Sequence, residues 1–315
     1  MSPKENFVKA LTFDWPDHVP YEDVVRVLRW KGDMMWFGES GTDPWGVVWE
    51  SIQGEYMPLA KGHPLSTPEE VEAFLPPRVD KLELLEEVGG LSSVGANEEF
   101  LRFGFHPHTC LERAWMLMGM ENFFVSLLTH PKVVKGLLEK IVDYHIEVAH
   151  HFLRLGVDGG WAGDDYGTQR ALMLAPGMWR EFIKPPLARF VKTYKQAGKW
   201  FFLHSCGHIT EIIEDLIEIG VDIINPVQAR ANDLWEWGRR FGGRIVFHGG
   251  VDTQHTLMRG TPAEVRAEVC QRLRQLAGER GGLILAPDQC MPIPQENLEA
   301  LWEEIKISGR YPIRV

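Results

Sequence analysis

Cysteine is scarce in this chain: Cys110, Cys206, Cys270 and Cys290 are the only four among 315 residues. So few thiols in so long a chain are not a disulfide framework of the kind that staples small secreted domains. No apolar run approaches the roughly 20 residues of a membrane span. The opening MSPKENFVKALTFDWPDHVP has no apolar core of the kind a secretory signal carries, so a cytoplasmic location is expected. Basic residues are not in excess either. Lys and Arg number 33 against 44 Asp and Glu, a net charge of −11 that argues against a nucleic-acid partner. Internal repeats and low-complexity tracts are absent, which sets aside repeat arrays.

Tryptophan, by contrast, is plentiful at twelve residues. Some belong to the core, but such richness also suits aromatic walls around an apolar ligand pocket. With 44% hydrophobic and 24% charged residues, the composition is that of a soluble globular protein.

From about residue 100 onward, short apolar runs alternate with helical stretches. FLRFGF (100–105), DGGWAG (158–163), WFFLH (200–204), DIIN (222–225), RIVFHG (244–249) and GLILAP (282–287) read as buried parallel strands. Helical spacing covers 130–156, 175–198 across the Pro185-Pro186 pair, 208–220, 261–278 and 294–306. Thr261 followed by Pro262 and Glu264 is a helix start, and Gly220 and Gly278 are helix stops. This alternation implies a parallel sheet, open or closed into an eight-stranded barrel, with two further strands to come from less regular segments. Residues 1–95 are richer in Pro, Gly and Trp and carry a hairpin signal around DPWGVVWES. They read as an extension or lid packed on a barrel of residues 96–315, in a single structural domain.

Parallel architectures build their sites at the C-terminal ends of strands. Those ends carry His106 and His108, then Asp164, Asp165 and Tyr166, then His204 and Cys206. Asn225, Gln228, His248, Asp252, Asp288 and Cys290 follow. In FLHSCGHI, His204 and Cys206 leave an extended backbone on the same side, and imidazole and thiolate are both good zinc donors. Cys290, past the last strand, would come across the mouth of a closed barrel. These three would form a site with one position left open. The alternative is a packed thiol beside a histidine bonded to a backbone carbonyl. Asp164, Asp165 and Tyr166 are candidates for acid–base work, with one aspartate expected to be functional and the other a cap. His106, Asn225, Gln228 and His248 are candidates for binding substrate. The glycines of FHGGVD could admit an anion to the backbone or simply form a tight turn.

The run of motifs from DDYGTQ through APGMWREFIKPPLARF, FLHSCGHI, DIINPVQ and FHGGVD to ILAPDQCMP resembles the uroporphyrinogen decarboxylase superfamily. The likeness covers roughly residues 100–310 and, more weakly, the DPWGVVW stretch. It implies a (β/α)8 TIM barrel with its site at the C-terminal mouth. One branch of that superfamily decarboxylates a polyacidic tetrapyrrole without metal or cofactor, holding it with arginines from an arginine-rich N-terminal segment. Here Arg26 and Arg29 are the nearest counterparts. The other branch contains corrinoid-linked methyltransferases, among them methylcobalamin:coenzyme M methyltransferases and O-demethylase methyltransferases acting on methoxylated aromatics. Their zinc motif, HxC followed by a distant Cys, falls on His204, Cys206 and Cys290. PDQCMPIP departs from the glycine-rich context of the thiol-methylating enzymes, which leaves the methyl acceptor open.

The resemblance therefore implies a zinc-dependent methyltransferase working with a corrinoid (cobalamin) on a separate partner protein that docks over the mouth. The tryptophan content favours a methoxylated aromatic as the small-molecule substrate. A metal-free decarboxylase and a non-catalytic relative that binds a tetrapyrrole or a corrinoid protein are the alternatives. The resemblance leaves room for a homodimer, which no surface stripe in the sequence marks.

Overall fold

The computed structural model describes residues 1–21, 24–30, 39–52, 58–79, 84–89, 99–289 and 291–315. The chain begins with α1 (Pro3–Leu11), β1 (Val25–Trp30), β2 (Gly41–Thr42), β3 (Val48–Glu50), β4 (Leu59–Gly62), α2 (Pro68–Ala73) and β5 (Leu84–Gly89). There follow β6 (Leu101–His106), α3 (Leu111–Met118), α4 (Met120–Thr129), α5 (Pro131–Arg154), β7 (Gly159–Gly163), α6 (Pro176–Phe182) and α7 (Lys184–Gln196). Next are β8 (Trp200–His204), α8 (Ile213–Ile219), β9 (Ile223–Val227), α9 (Leu234–Phe241) and β10 (Val246–Val251). The chain closes with α10 (Thr256–Arg259), α11 (Pro262–Leu276), β11 (Leu283–Pro287) and α12 (Gln295–Ser308).

The main sheet runs β11-β10-β9-β8-β7-β6-β1-β5. Neighbours from β1 to β11 pair in parallel, and β5 lies antiparallel on β1. The six strands read from the apolar runs are β6 to β11. The seventh parallel strand, β1, and the antiparallel β5 both come from residues 1–95. β2, β3 and β4 form a separate antiparallel sheet where the sequence carries its hairpin signal.

Side-chain parity shows the sheet to be curled. Val25 of β1 and Ile284 of β11 stand far apart in strand order, yet they share one buried cluster with Leu101, Phe103, Phe202, Ile223 and Val246. That cluster is the inside of a TIM-barrel-like fold. Phe7 and Leu11 of α1 belong to it and close its N-terminal end, with the Gly282 N–H donating to the Ala10 carbonyl at 3.0 Å. Ser2 and Glu5 form the capping box that starts α1. The opposite parity packs outward on the helices: a Cβ on Gly104 would meet the Phe152 ring at 2.4 Å, and one on Gly160 the Tyr194 ring at 2.4 Å.

The helix signals act where the sequence puts them, with one displacement. Thr261 and Glu264 form the capping box of α11, and Gly220 ends α8 in the left-handed region at φ 97°. The break in 175–198 falls at Ile183, not at the prolines. Pro185 and Pro186 instead sit in the first turn of α7, where a missing N–H costs no helical hydrogen bond. Among the described residues, no helix is long and apolar enough to cross a membrane.

Candidate metal centre at the barrel mouth

Two residues along from each inner-core position, the same wall turns polar. Phe202, Ile223 and Val246 point inward, so His204, Asn225 and His248 stand above them on the same faces of β8, β9 and β10. They form a directional chain. Asn225 Oδ1 lies 2.7 Å from His204 Nδ1, and Asn225 Nδ2 lies 2.6 Å from His248 Nδ1. The amide oxygen accepts and the amide nitrogen donates, so His204 carries its hydrogen on Nδ1 and presents a bare Nε2.

That lone pair faces two further donors. Cys206 Sγ stands 3.5 Å from His204 Nε2, and Asp165 Oδ1 stands 3.7 Å from it. The donor atoms of Asp165, His204 and Cys206 all lie within 4.8 Å of one another. Burial, and next the Asp165 carboxylate, push the Cys206 thiol well above its ordinary range. As a thiol, Cys206 can donate its proton to the bare His204 Nε2, and that is the proton a metal ion would displace. A borderline-soft divalent ion taking N, S and O ligands fits the three donors, which is the zinc pattern. The His204 and Asp165 side chains are each 35% exposed, so the cluster is open toward solvent.

The loop that carries Cys206 is held on every side. Its N–H donates to Asp165 Oδ1 at 2.7 Å, the Ser205 Oγ accepts from the Tyr166 N–H, and the Gln228 Oε1 accepts from the Gly207 N–H at 2.6 Å. Gly207 has φ 85°, and a Cβ there would lie 2.3 Å from the Gly167 backbone, so only glycine fits. From the end of β11, Gln289 donates its amide to Cys206 Sγ at 3.1 Å. Cys290, the next residue and the third ligand expected from sequence, lies outside the described residues.

The structure gives several of the expected site residues protein contacts of their own. Asp164 is fully buried and accepts the Leu111 and Glu112 N–H groups at 2.8 Å each, capping α3. Tyr166 is buried beside it and packs edge-on against Trp179 at 5.5 Å. His106 has the wrong parity: Phe105 faces inward, so His106 faces the helices, where it bonds the Tyr194 hydroxyl at 2.7 Å and packs on Phe152 and Phe190. Gln228 braces the Cys206 loop, and Asn225 orients His204. The glycines of FHGGVD serve the strand: Gly249 and Gly250 have φ 113° and 102° where the β9–β10 register shifts.

Other residues at the mouth were not anticipated. Glu112, in the first turn of α3, is pushed up to about 8 by burial and next by the Asp165 charge. Phe105 and Trp161 are partly exposed on the inner wall and meet edge-on at 6.2 Å, while Trp161 lies over Phe202 at 4.2 Å. An acid at the start of a helix and aromatics at alternate strand positions were the available signals, but both are common in cores.

A barrel with a histidine, a cysteine and an aspartate converging at its C-terminal mouth defines a class of enzyme-like scaffold. The chain belongs to the uroporphyrinogen decarboxylase (URO-D) family, whose model matches residues 52–307. Among solved structures, a methyltransferase from Methanosarcina mazei superposes with a TM-score of 0.63 at 18% identity, covering 84% of this chain and 76% of that one. This likeness shows the fold. A B12-independent methionine synthase from Shewanella sp. W3-18-1 aligns with a TM-score of 0.46 at 14% identity, over 66% of this chain and 60% of that one. No curated protein sequence matches the chain significantly.

Proposed function

We propose that this chain is a zinc-dependent methyltransferase that moves a methyl group between a small substrate, by preference a methoxylated aromatic, and a corrinoid carried by a partner protein. The observation that supports the reading is the convergence of Asp165, His204 and Cys206, with the His204 Nε2 lone pair left free by Asn225. Cys290 is the proposed further ligand, since it follows the residue whose amide reaches Cys206. The M. mazei structural neighbour is itself a methyltransferase, which agrees with this reading.

When bound, zinc would supply Lewis-acid polarisation of an ether oxygen or hold a thiol as its thiolate. The chain's own residues position and enclose. Trp161, partly exposed and backed by the buried Phe202, and Phe105, edge-on beside it, offer apolar surface against which an aromatic ring can pack and exclude water. Burial, and next the Asp165 charge, favour the protonated form of the Glu112 carboxyl, which makes it the candidate acid beside the cluster. Asp165 and the Cys206 N–H lock each other, which keeps the sulfur aimed at the cluster.

A second reading, decarboxylation of a polyacid, is favoured by one observation. Arg29 follows Val25 and Val27 on the inward face of β1. The two are separated by anaerobic incubation of the protein with cob(I)alamin and 2-methoxyphenol, following methylcobalamin by absorbance. Zinc-loaded protein is expected to form it and chelator-stripped protein is not. Conversion of a uroporphyrinogen by stripped protein, with no methyl transfer by the loaded form, would overturn the proposal in favour of the decarboxylase.

A further inference from the structure

Two buried N–H groups on the barrel's inner wall meet no acceptor among the described residues: Trp161 Nε1 and His248 Nε2. His248 carries a hydrogen there because its Nδ1 takes the Asn225 amide hydrogen at 2.6 Å, leaving Nε2 as the protonated nitrogen of a neutral ring. Burial keeps that ring neutral. Both rings lean on Phe202, Trp161 at 4.2 Å and tilted by 34°, His248 at 5.5 Å and nearly edge-on. In the β7–β8 register Trp161 is level with Phe202, one inward layer below His204. A donor removed from water without a partner weakens the fold, so such groups ordinarily have a partner to find.

We propose that Trp161 and His248 are specificity-determining donors, which read a hydrogen-bond acceptor on a planar substrate packed against Trp161. The inference rests on the reading of this mouth as a site for a methoxylated aromatic, and it narrows that class. The acceptor lies deeper than the Asp165–His204–Cys206 cluster, so it is a second oxygen on the ring, distinct from the methoxy group held at the cluster. The partly exposed Phe105 and Trp161 accept the ring, and the two N–H groups choose among rings of equal shape.

The test compares ligands that differ only in that acceptor: the three dimethoxybenzenes, each against the ethylmethoxybenzene of the same substitution pattern. Affinities are measured by calorimetry on the whole chain, without corrinoid and without turnover, with zinc content determined on the same preparation. At least one dimethoxybenzene is expected to bind ~10-fold tighter than its ethyl partner, the scale of a buried hydrogen bond. Trp161→Phe and His248→Phe, each keeping an aromatic surface, are expected to cut that preference to under ~3-fold. The preference is a ratio within one protein, so a general loss of affinity does not mimic it. No binding, no preference in any wild-type pair, or a preference that survives both substitutions would overturn the inference. Zinc-loaded protein without a preference would sink the inference alone. A clear preference in protein that holds no zinc would support these donors and count against the metal reading.

Discussion

The amide of Asn225 is the part of the site whose removal gives the sharpest expectation. Its Oδ1 accepts from His204 Nδ1 at 2.7 Å and its Nδ2 donates to His248 Nδ1 at 2.6 Å, and the residue is only 6% exposed. In Asn225→Leu no water would take over the lost contact, the imidazole would turn more freely, and the Nδ1–H tautomer would no longer be enforced. Loss of such an outer contact to a metal-bound histidine weakens affinity by roughly 10- to 100-fold, or about 1.4 to 2.7 kcal/mol. Asn225→Asp supplies the control: a carboxylate still accepts from His204, so zinc affinity is expected to stay within a few-fold of wild type. Competition for zinc against a chromogenic chelator measures both variants, with thermal unfolding run alongside. A well-folded Asn225→Leu protein that binds zinc as tightly as wild type would refute the role of this amide.

Further expectations concern the scaffold. Asp43 and Arg113 form an ion pair at 2.9 Å with both side chains 0% exposed, and Asp43 also accepts the Trp45 and Val47 N–H groups and the Trp49 indole. Asp43→Ala leaves a buried charge without its partner and should destabilise the fold by about 3–5 kcal/mol in denaturant titration; a loss under about 1 kcal/mol would contradict that view. His106 is pushed by burial from its ordinary 6.5 down to about 3. Between these values the unfolded chain binds a proton that the folded chain refuses, so stability falls as pH falls. From pH 7 to pH 5 this one group accounts for about 2 kcal/mol, and His106→Gln should flatten the stability–pH curve by that amount. An unchanged slope would mean that His106 is not held neutral.

The barrel was readable because parallel strands buried on both faces are short, continuously apolar and bounded by turns, as in WFFLH and GLILAP. β1 was not, since VRVLRW carries two arginines and has the antiparallel β5 on one edge. At the site, the spacing of His204 and Cys206 placed both on one side of the chain, and the structure brings their donor atoms within 3.5 Å. His106 shows the limit of that reasoning. A strand end is visible in sequence, but which parity faces the barrel is not, and one residue separates the mouth from the helical layer. Asp164 and Asp165 divide in the same way. They are neighbours that point apart, and only the folded chain reveals that α3 begins where Asp164 can cap it. The unmet N–H groups of Trp161 and His248 have no sequence signature at all, because a missing partner is a property of the packed interior.

The central claim, that Asp165, His204 and Cys206 hold a metal, is tested most directly by elemental mass spectrometry of the purified chain beside Cys206→Ala and His204→Ala. About one zinc per chain in the wild type, lost in both variants while their folds persist, is the expected result. Metal-free wild-type protein that takes up no zinc on addition, or variants that retain it after chelation, would contradict the account.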